Sequence, residues 1–236
     1  MVARVVLVHG SRLSGAQWAP QLPHLAPYVD AVAVDLPAHG SRSAEEFTLA
    51  RCAEVVQEAV TAAPSGTPVV VVGHSLGGYV AMFHASRHAD DLSGLVLAGS
   101  SANPVGPGAA VYRGVAAVTD RIGEDRMRDL TFRFLRRRYP PDVSEAIITG
   151  GYYAGATGAA WREIMTRCRP ELVADVGCPV LLLNGQYDQF RLGERGFRRA
   201  CAQAQVEVLP GATHLANLDR PQAFAEAVLR FVREVT

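Results

Sequence analysis

The feature of this sequence that most constrains its fold is a regular alternation between short runs of valine and leucine and longer amphipathic stretches. Such runs are typical of buried parallel strands, and the stretches between them are typical of the helices that connect those strands. The sequence therefore predicts an α/β fold with a mainly parallel six-stranded sheet flanked by helices. The predicted strands are residues 3–9, 30–35, 68–73, 93–99, 179–185 and 205–211. The predicted helices are residues 16–27, 45–62, 76–89, 190–204 and 221–234.

The connection between the fourth and fifth predicted strands is far longer than the others. It opens with the Gly/Pro-rich "GSSANPVGPG" and closes at "GCP", a separation well beyond that of an ordinary crossover. We interpret it as an inserted helical cap. The predicted division is a core made of residues 1–99 and 176–236, with the cap formed by residues 100–175.

Charge and composition narrow the class of partner. The chain has 23 basic residues, all of them arginine, and 23 acidic ones, so its formal net charge is zero. No overall field attracts nucleic acid or an anionic membrane surface. The sequence therefore predicts a small-molecule substrate, with no nucleic-acid and no membrane partner, and it leaves the oligomeric state open, a homodimer being one option.

The four cysteines do not form a C-x-x-C pair and are not spaced from a histidine as metal ligands would be. We expect reduced, mostly buried thiols, no metal and no cofactor. The apolar run at the N-terminus is too short for a signal peptide, and no apolar run is long enough to span a bilayer. These observations predict a cytoplasmic protein.

The sequence "VVVVGHSLGG" runs from a predicted strand directly into a predicted helix. Gly73 and Gly77 remove side chains that would collide in so sharp a turn, which leaves Ser75 at its tip. This is the G-x-S-x-G nucleophile elbow, which presents the serine Oγ at the carboxyl end of the sheet. The alternative is a glycine-rich turn with an idle serine. The strand before the motif and the helix after it favour the elbow.

A serine nucleophile needs a base, and the base needs an orienting acid. Asp188 follows the fifth predicted strand and His214 follows the sixth. Because the carboxyl ends of parallel strands share one edge of the sheet, Ser75, Asp188 and His214 are predicted to converge there as a catalytic triad. Asp35 is the other acid at a strand end, and we expect it to cap the loop that follows.

The remaining histidines lack this placement. His84 and His88 lie one helical turn apart without the glutamate of a zinc-protease motif, so we expect a solvated helix face. His39 is expected to be exposed, and His74 is expected to pack beneath the elbow.

An oxyanion hole needs two backbone N–H donors. The first is predicted to be Leu76, directly after the nucleophile, and the second to come from the loop after the first strand. Ser11 is the chosen donor in that loop, and Arg12 is the alternative.

Together, "VLVHG" followed by Trp18, "DLPAHGSRS", "GHSLGG", "NGQYD" and "GATH" resemble the α/β-hydrolase superfamily over nearly the whole chain. The resemblance implies an α/β-hydrolase fold and a serine-nucleophile enzyme. The chain begins at the strand before "HG", without the antiparallel pair that opens many members, and this minimal six-stranded plan resembles the methylesterase and hydroxynitrile lyase branch. The lyases of that branch are known for an active-site lysine, which this chain lacks, and Ser75 disfavours the branches with an aspartate nucleophile. Thr213 departs from the usual glycine before the histidine.

The cap carries an apolar and aromatic set suited to roofing a pocket for an acyl or aryl group, although such residues also pack a cap's own helices. The set is Tyr112, Met127, Phe132, Phe134, Leu135, Tyr152, Tyr153 and Trp161. From it we predict Trp161, Tyr152 and Phe134 as pocket residues, together with Leu215 beside the histidine. The basic run at residues 133–138 is expected to be a solvated helix face, the alternative being contact with an anionic substrate or a carrier-protein phosphopantetheine.

The expected function is cleavage of a small to medium, largely apolar carboxylic ester, lactone or thioester through an acyl-enzyme. Two alternatives stay open at this stage. One is hydrolysis of a carbon–carbon or other atypical bond by the same triad, and the other is a small-molecule receptor without catalysis, which the complete triad disfavours.

Overall fold

The computed structural model describes residues 2–104 and 121–236. Six strands form one sheet in the order β2-β1-β3-β4-β5-β6, and every neighbouring pair is parallel. The predicted α/β class and six-stranded sheet are confirmed. The strands are β1 (Arg4–Val8), β2 (Asp30–Val34), β3 (Val69–His74), β4 (Gly94–Ala98), β5 (Val180–Gly185) and β6 (Gln205–Leu209).

The helices of the described residues cover both faces of this sheet. They are α1 (Leu22–Leu25), α2 (Leu49–Thr61), α3 (Leu76–Ala85), α4 (Glu124–Arg138), α5 (Pro141–Thr149), α6 (Thr157–Arg167), α7 (Glu194–Ala200), α8 (Ala216–Asp219) and α9 (Pro221–Val235). Two predicted helices are shorter than expected. Residues 16–27 contain a 3-10 turn at Gly15–Trp18 and then α1, and residues 190–204 contain a 3-10 turn at Gln189–Gly193 and then α7.

The core lies in two layers, one on each face of the sheet. One layer packs α2, α3 and α6 against the sheet, and the other packs Trp18, α1 and α9 against the opposite face. Because both faces are covered, every residue of β3, β4 and β5 is buried, which explains their continuous apolar runs. The central strands therefore form a rigid base for the loops at their carboxyl ends.

The long insertion between β4 and β5 contains α4, α5 and α6 among the residues that the structure describes. Its two halves pack differently. Ala160 and Ile164 of α6 join the core layer with α2 and α3. Helices α4 and α5 contribute to a separate small apolar cluster, made of Leu13, Leu135, Tyr139, Ile147 and Leu218. The boundaries of the predicted cap stay a prediction, and Tyr112 lies outside the described residues.

None of the helices within residues 2–104 and 121–236 has both the length and the apolar character that crossing a bilayer requires.

Candidate active site

The turn from β3 into α3 holds Ser75 in a backbone conformation that side chains rarely adopt. Its φ is 52° and its ψ is −116°. A Cβ at Gly73 would collide with the backbone of Gly77, and one at Gly77 would collide with the carbonyl of Val8. The turn is closed by a 2.8 Å hydrogen bond from the Ser75 N–H to the Ala98 carbonyl. The glycines permit the turn, and the neighbouring strands hold the strained serine in place.

The structure brings the three predicted triad residues together. His214 Nε2 lies 3.0 Å from Ser75 Oγ, and His214 Nδ1 lies 3.1 and 3.2 Å from the two carboxylate oxygens of Asp188. The Asp188 side chain is fully buried, whereas that of His214 is 21% exposed. The arrangement can move a proton from the serine hydroxyl to the imidazole while the carboxylate orients the other ring nitrogen.

Phe190 is a site residue that the sequence reasoning missed. Its N–H donates a 2.8 Å hydrogen bond to Asp188 Oδ1, and its ring lies over the imidazole of His214, with the ring centroids 4.4 Å apart. The only sequence signal was its position two residues after the acid. Phe190 thus contacts both the acid and the base of the triad.

A buried polar chain lies beneath the elbow. His74 Nε2 is 2.9 Å from the His214 carbonyl, and His74 Nδ1 is 2.8 Å from Nε2 of Gln17. Burial, with a contribution from nearby His214, lowers the pKa of His74 to about 3. A neutral ring fits the chain if Nε2–H donates to the carbonyl and Nδ1 accepts from the amide. His74 packs beneath the elbow as expected, and the sequence reasoning missed Gln17.

The same glutamine fixes the loop after β1. Gln17 Oε1 accepts a 2.7 Å hydrogen bond from the Gly10 N–H. Next to it, His9 is fully buried and accepts a 3.0 Å hydrogen bond at Nε2 from the Leu36 N–H, and burial lowers its pKa to about 3. The loop is therefore anchored to the elbow, through Gln17 and His74, and to the end of β2.

The two predicted oxyanion donors belong to different segments, Leu76 to the start of α3 and Ser11 to the loop after β1. Leu76 is the first residue of α3, so the helix itself supplies no carbonyl for its N–H. In the loop after β1, Arg12 has a φ of 67°, and its carbonyl accepts a 2.9 Å hydrogen bond from the Tyr153 N–H. The choice between Ser11 and Arg12 as second donor stays a prediction.

Asp35, the other acid at a strand end, serves the neighbouring loops. Its carboxylate accepts hydrogen bonds from the Gly15 N–H at 2.7 Å and from the N–H and hydroxyl of Ser41 at 2.8 Å each. Burial acts to raise the pKa of Asp35, but these hydrogen bonds outweigh it and hold the pKa below its ordinary value.

Two histidines are placed differently from the sequence expectation. His39 was expected to be exposed, but it is buried against His9 and Phe47. His84 was expected on a solvated face, but it is buried because α3 is covered on all sides, and its Nε2 pairs with Gln57 Oε1 at 2.6 Å.

The four predicted pocket residues differ in burial. Tyr152 is 9% exposed, and its ring meets Phe132 edge-on. Leu215 packs against the small apolar cluster that contains Leu135 of α4 and Ile147 of α5. Trp161 is half-buried on α6. Phe134, by contrast, is 49% exposed on α4, more open than a ring in a closed pocket. Their roles in binding stay predictions.

Two buried hydroxyls have no hydrogen-bond partner among residues 2–104 and 121–236, those of Ser11 and Tyr152. Within the same part of the chain, no group of three or more potential ligands is arranged to hold a metal ion.

Comparison with known proteins assigns most of this chain to one protein family. Residues 5–227 match the model of the alpha/beta hydrolase family. A pimeloyl-[acyl-carrier protein] methyl ester esterase of Neisseria meningitidis serogroup C is 28% identical over an alignment of 249 positions, covering 99% of this chain and 95% of that protein.

Solved structures agree with this match. A thermophilic esterase from Thermogutta terrifontis superposes with a TM-score of 0.77 at 27% identity, covering 99% of this chain and 90% of that one. The enol-lactonase from Burkholderia xenovorans superposes with a TM-score of 0.75 at 21% identity, covering 99% and 92%, and shows the shared fold alone. With its elbow, its sheet order and the match over most of its length, this chain belongs to the alpha/beta hydrolase family and is a hydrolase enzyme.

Proposed function

We propose that this protein is a serine esterase that cleaves a small to medium, largely apolar carboxylic ester through an acyl-enzyme on Ser75. The observation that carries the proposal is the unbroken chain of contacts from Asp188 through His214 to Ser75, with the serine raised on a strained turn. The acid is fully buried, the base is 21% exposed and Ser75 is 8% exposed, so the three side chains form a sheltered relay of the kind that acyl transfer uses.

In the acylation step, Ser75 Oγ attacks the ester carbonyl while His214 Nε2 takes the hydroxyl proton. The carbonyl oxygen becomes negative and is stabilised by backbone N–H groups, for which Leu76 and Ser11 are the proposed donors. When the tetrahedral intermediate collapses, the protonated imidazole gives its proton to the departing alcohol. Asp188 stabilises the imidazolium throughout without taking its proton.

In the deacylation step, His214 takes a proton from a water molecule, and the resulting hydroxide attacks the acyl carbon. The Ser75 oxygen leaves with that proton, which restores the free enzyme and releases the carboxylic acid.

The neutral state of His74 suits this cycle. With its pKa lowered to about 3 by burial, His74 adds no positive charge beside His214 near neutral pH. A second cation there would oppose the imidazolium that forms in each transition state. His74 can therefore hold the His214 backbone without an electrostatic penalty.

The proposed substrate class rests on the relatives and on the surroundings of the site. The Neisseria relative is named for a methyl ester of an acyl group on a carrier protein, and the Thermogutta structure is an esterase. The apolar side chains around Leu215, next to the base, are the proposed contacts of the acyl chain. The hydroxyls of Ser11 and Tyr152, which have no partner within residues 2–104 and 121–236, are the proposed contacts of a polar group of the substrate. A pimeloyl methyl ester, free or on a carrier, is therefore the first natural-type substrate to assay.

The experiment that tests the proposal combines a probe with turnover. A fluorophosphonate should label the protein once, and Ser75→Ala should abolish labelling and lower kcat for a p-nitrophenyl ester by several orders of magnitude. Ser86→Ala, at the far end of α3, is the matched control and should behave as wild type. Labelling or turnover that survives Ser75→Ala contradicts the proposal.

A further inference from the structure

A second buried carboxylate lies close to the triad and takes no part in the chemistry described above. Asp219 ends α8, five residues after His214, and its side chain is 1% exposed. A buried carboxylate carries a large desolvation cost unless each oxygen is hydrogen-bonded. Its partners therefore indicate what it holds together.

One oxygen of Asp219 binds the loop that carries the catalytic base. Asp219 Oδ2 accepts hydrogen bonds from the Thr213 N–H at 2.7 Å and from the Thr213 hydroxyl at 2.6 Å. The resemblance noted in the sequence leads us to expect glycine at this position, and glycine has no hydroxyl to donate. The departure noted in the sequence is thus matched by a specific partner, one residue before His214.

The other oxygen of Asp219 binds the inserted helices. Asp219 Oδ1 accepts hydrogen bonds from Arg138 Nη2 at 2.9 Å and from the Tyr139 hydroxyl at 3.0 Å. Arg138 is the last residue of α4, and Tyr139 follows it directly. Burial and the adjacent carboxylate raise the pKa of Tyr139, so its hydroxyl keeps its proton and remains a donor.

The backbone on either side of His214 is therefore held by two different parts of the molecule. The His214 carbonyl faces His74 from the core, at 2.9 Å, and the Thr213 N–H faces Asp219, which is bound to α4. A shift of the C-terminal end of α4 would be transmitted through one carboxylate to the residue before the catalytic base. By contrast, Arg136 on the same helix pairs with Glu145 of α5, inside the insertion.

We propose that Asp219 is a positioning residue for His214 and that it links the placement of the imidazole to the end of α4 at Arg138 and Tyr139. This inference rests on the proposed role of His214 as the general base. A substrate that contacts α4 would thereby influence the alignment of the base as well as its own binding. The inserted helices would thus affect the rate of bond breaking in addition to substrate choice.

The test removes the α4 half of the link and leaves the triad intact. The double variant Arg138→Ala/Tyr139→Phe should lower kcat for p-nitrophenyl acetate by roughly tenfold to 10²-fold, because small misplacements of a catalytic group have effects of this size. Its KM should stay within about twofold, since so small an ester gains little binding from α4. Arg136→Ala is the matched control, an arginine of similar exposure on the same helix, and should retain wild-type kcat.

A second set of variants tests the contact between Thr213 and Asp219, in the loop before His214. Thr213→Val removes the hydroxyl at nearly constant volume and should lower kcat, whereas Thr213→Ser keeps the donor and should restore it. When Thr213→Val is combined with the double variant, the losses should be less than additive, because both act through Asp219.

The link is overturned if the double variant keeps wild-type kcat, or if Thr213→Ser is as impaired as Thr213→Val. A double variant whose melting temperature falls while its kcat stays at the wild-type value would likewise show that the contacts of Arg138 and Tyr139 are structural only. Failure of the proposed function would look different. In that case the Ser75→Ala protein would retain activity, whichever way the Asp219 variants behave.

Discussion

Helix α3 begins directly after the nucleophile, and helix α4 ends at a contact with Asp219, but the two helices are held in opposite ways. Every one of the ten residues of α3 is buried, whereas Leu135 alone is buried among the fifteen residues of α4. An element that is apolar on all sides is positioned by close packing over its whole surface, and a largely polar one depends on a few contacts. The nucleophile is thus attached to the part of the molecule least able to move. The helix proposed to influence substrate choice can be altered without dismantling the core.

The largest expected effect comes from a substitution in the catalytic triad, whose serine directly precedes the buried helix α3. Asp188→Asn should lower kcat for a p-nitrophenyl ester by roughly 10³ to 10⁴-fold, because the amide holds the imidazole in the wrong tautomer. Circular dichroism should show an unchanged fold. Asp35→Asn is the matched control, since the carboxylate of Asp35 accepts its hydrogen bonds from Gly15 and Ser41 and not from His214, and its kcat should stay near wild type. Equal losses in both variants would contradict the assignment of Asp188.

The next effect compares the same substitution on the two helices. Phe83 of α3 is 3% exposed with Arg87 stacked on its ring, and Phe134 of α4 is 49% exposed. Phe83→Ala should lower the free energy of unfolding by about 3–5 kcal/mol through the cavity it leaves, and Phe134→Ala by about 1 kcal/mol or less. Urea denaturation of the two variants measures the difference. Similar losses would show that α4 is packed as firmly as α3.

A smaller effect concerns substrate choice. Trp161 lies half-buried on α6 within the insertion. If it lines the pocket, Trp161→Ala should change the acyl chain-length preference in kcat/KM by about 1–3 kcal/mol, the scale of lost apolar contacts, with little change for the smallest ester. The control is Arg162→Ala at the exposed neighbouring position. An unchanged preference with a lower melting temperature would assign Trp161 to the packing of α6 instead.

The smallest expected effect is a pH dependence of stability caused by His84, the buried histidine of α3. Burial, reinforced by His88, lowers the pKa of His84 to about 4, whereas unfolded histidine titrates near 6.5. As pH falls from 6.5 towards 4, the unfolded chain takes up a proton at His84 that the native state does not. The contribution of His84 to the free energy of unfolding is therefore fully present above pH 6.5 and declines below it.

His84→Gln removes this titration and keeps a hydrogen-bonding side chain. Its loss of unfolding free energy between pH 7.5 and pH 5.5 should be smaller than that of wild type by roughly 1 kcal/mol, measured by denaturation at both pH values. His24→Gln, on an exposed face, is the control and should keep the wild-type pH dependence. If His84→Gln kept the wild-type pH dependence of stability, His84 would take up its proton as readily in the native state as in the unfolded chain.

Much of the fold and the approach of the triad residues follow from local patterns. The valine run ending in "GHSLGG" predicted a strand, a sharp turn and a helix, and the structure has β3, a positive φ at Ser75, and α3. Asp188 and His214 were predicted to meet Ser75 because each follows a strand, and parallel strands bring their carboxyl ends to one edge. These inferences needed only the period of the apolar residues, the positions of a few glycines and the base and acid that a serine nucleophile requires.

The residues that the sequence did not reveal are those defined by contacts between distant segments. Gln17 and Phe190 stand in no recognisable pattern, and they matter because the fold places one against His74 and the other over His214. His84 carries a helical spacing that suited a solvated face, and only the packing around α3 buries it. The sequence by itself determined the strands, the elbow and the order of acid and base, because these depend on neighbours along the chain. Only the tertiary structure decided which side chains surround them and that Asp219 joins α4 to Thr213, because burial and long-range hydrogen bonds exist only once distant segments have packed together.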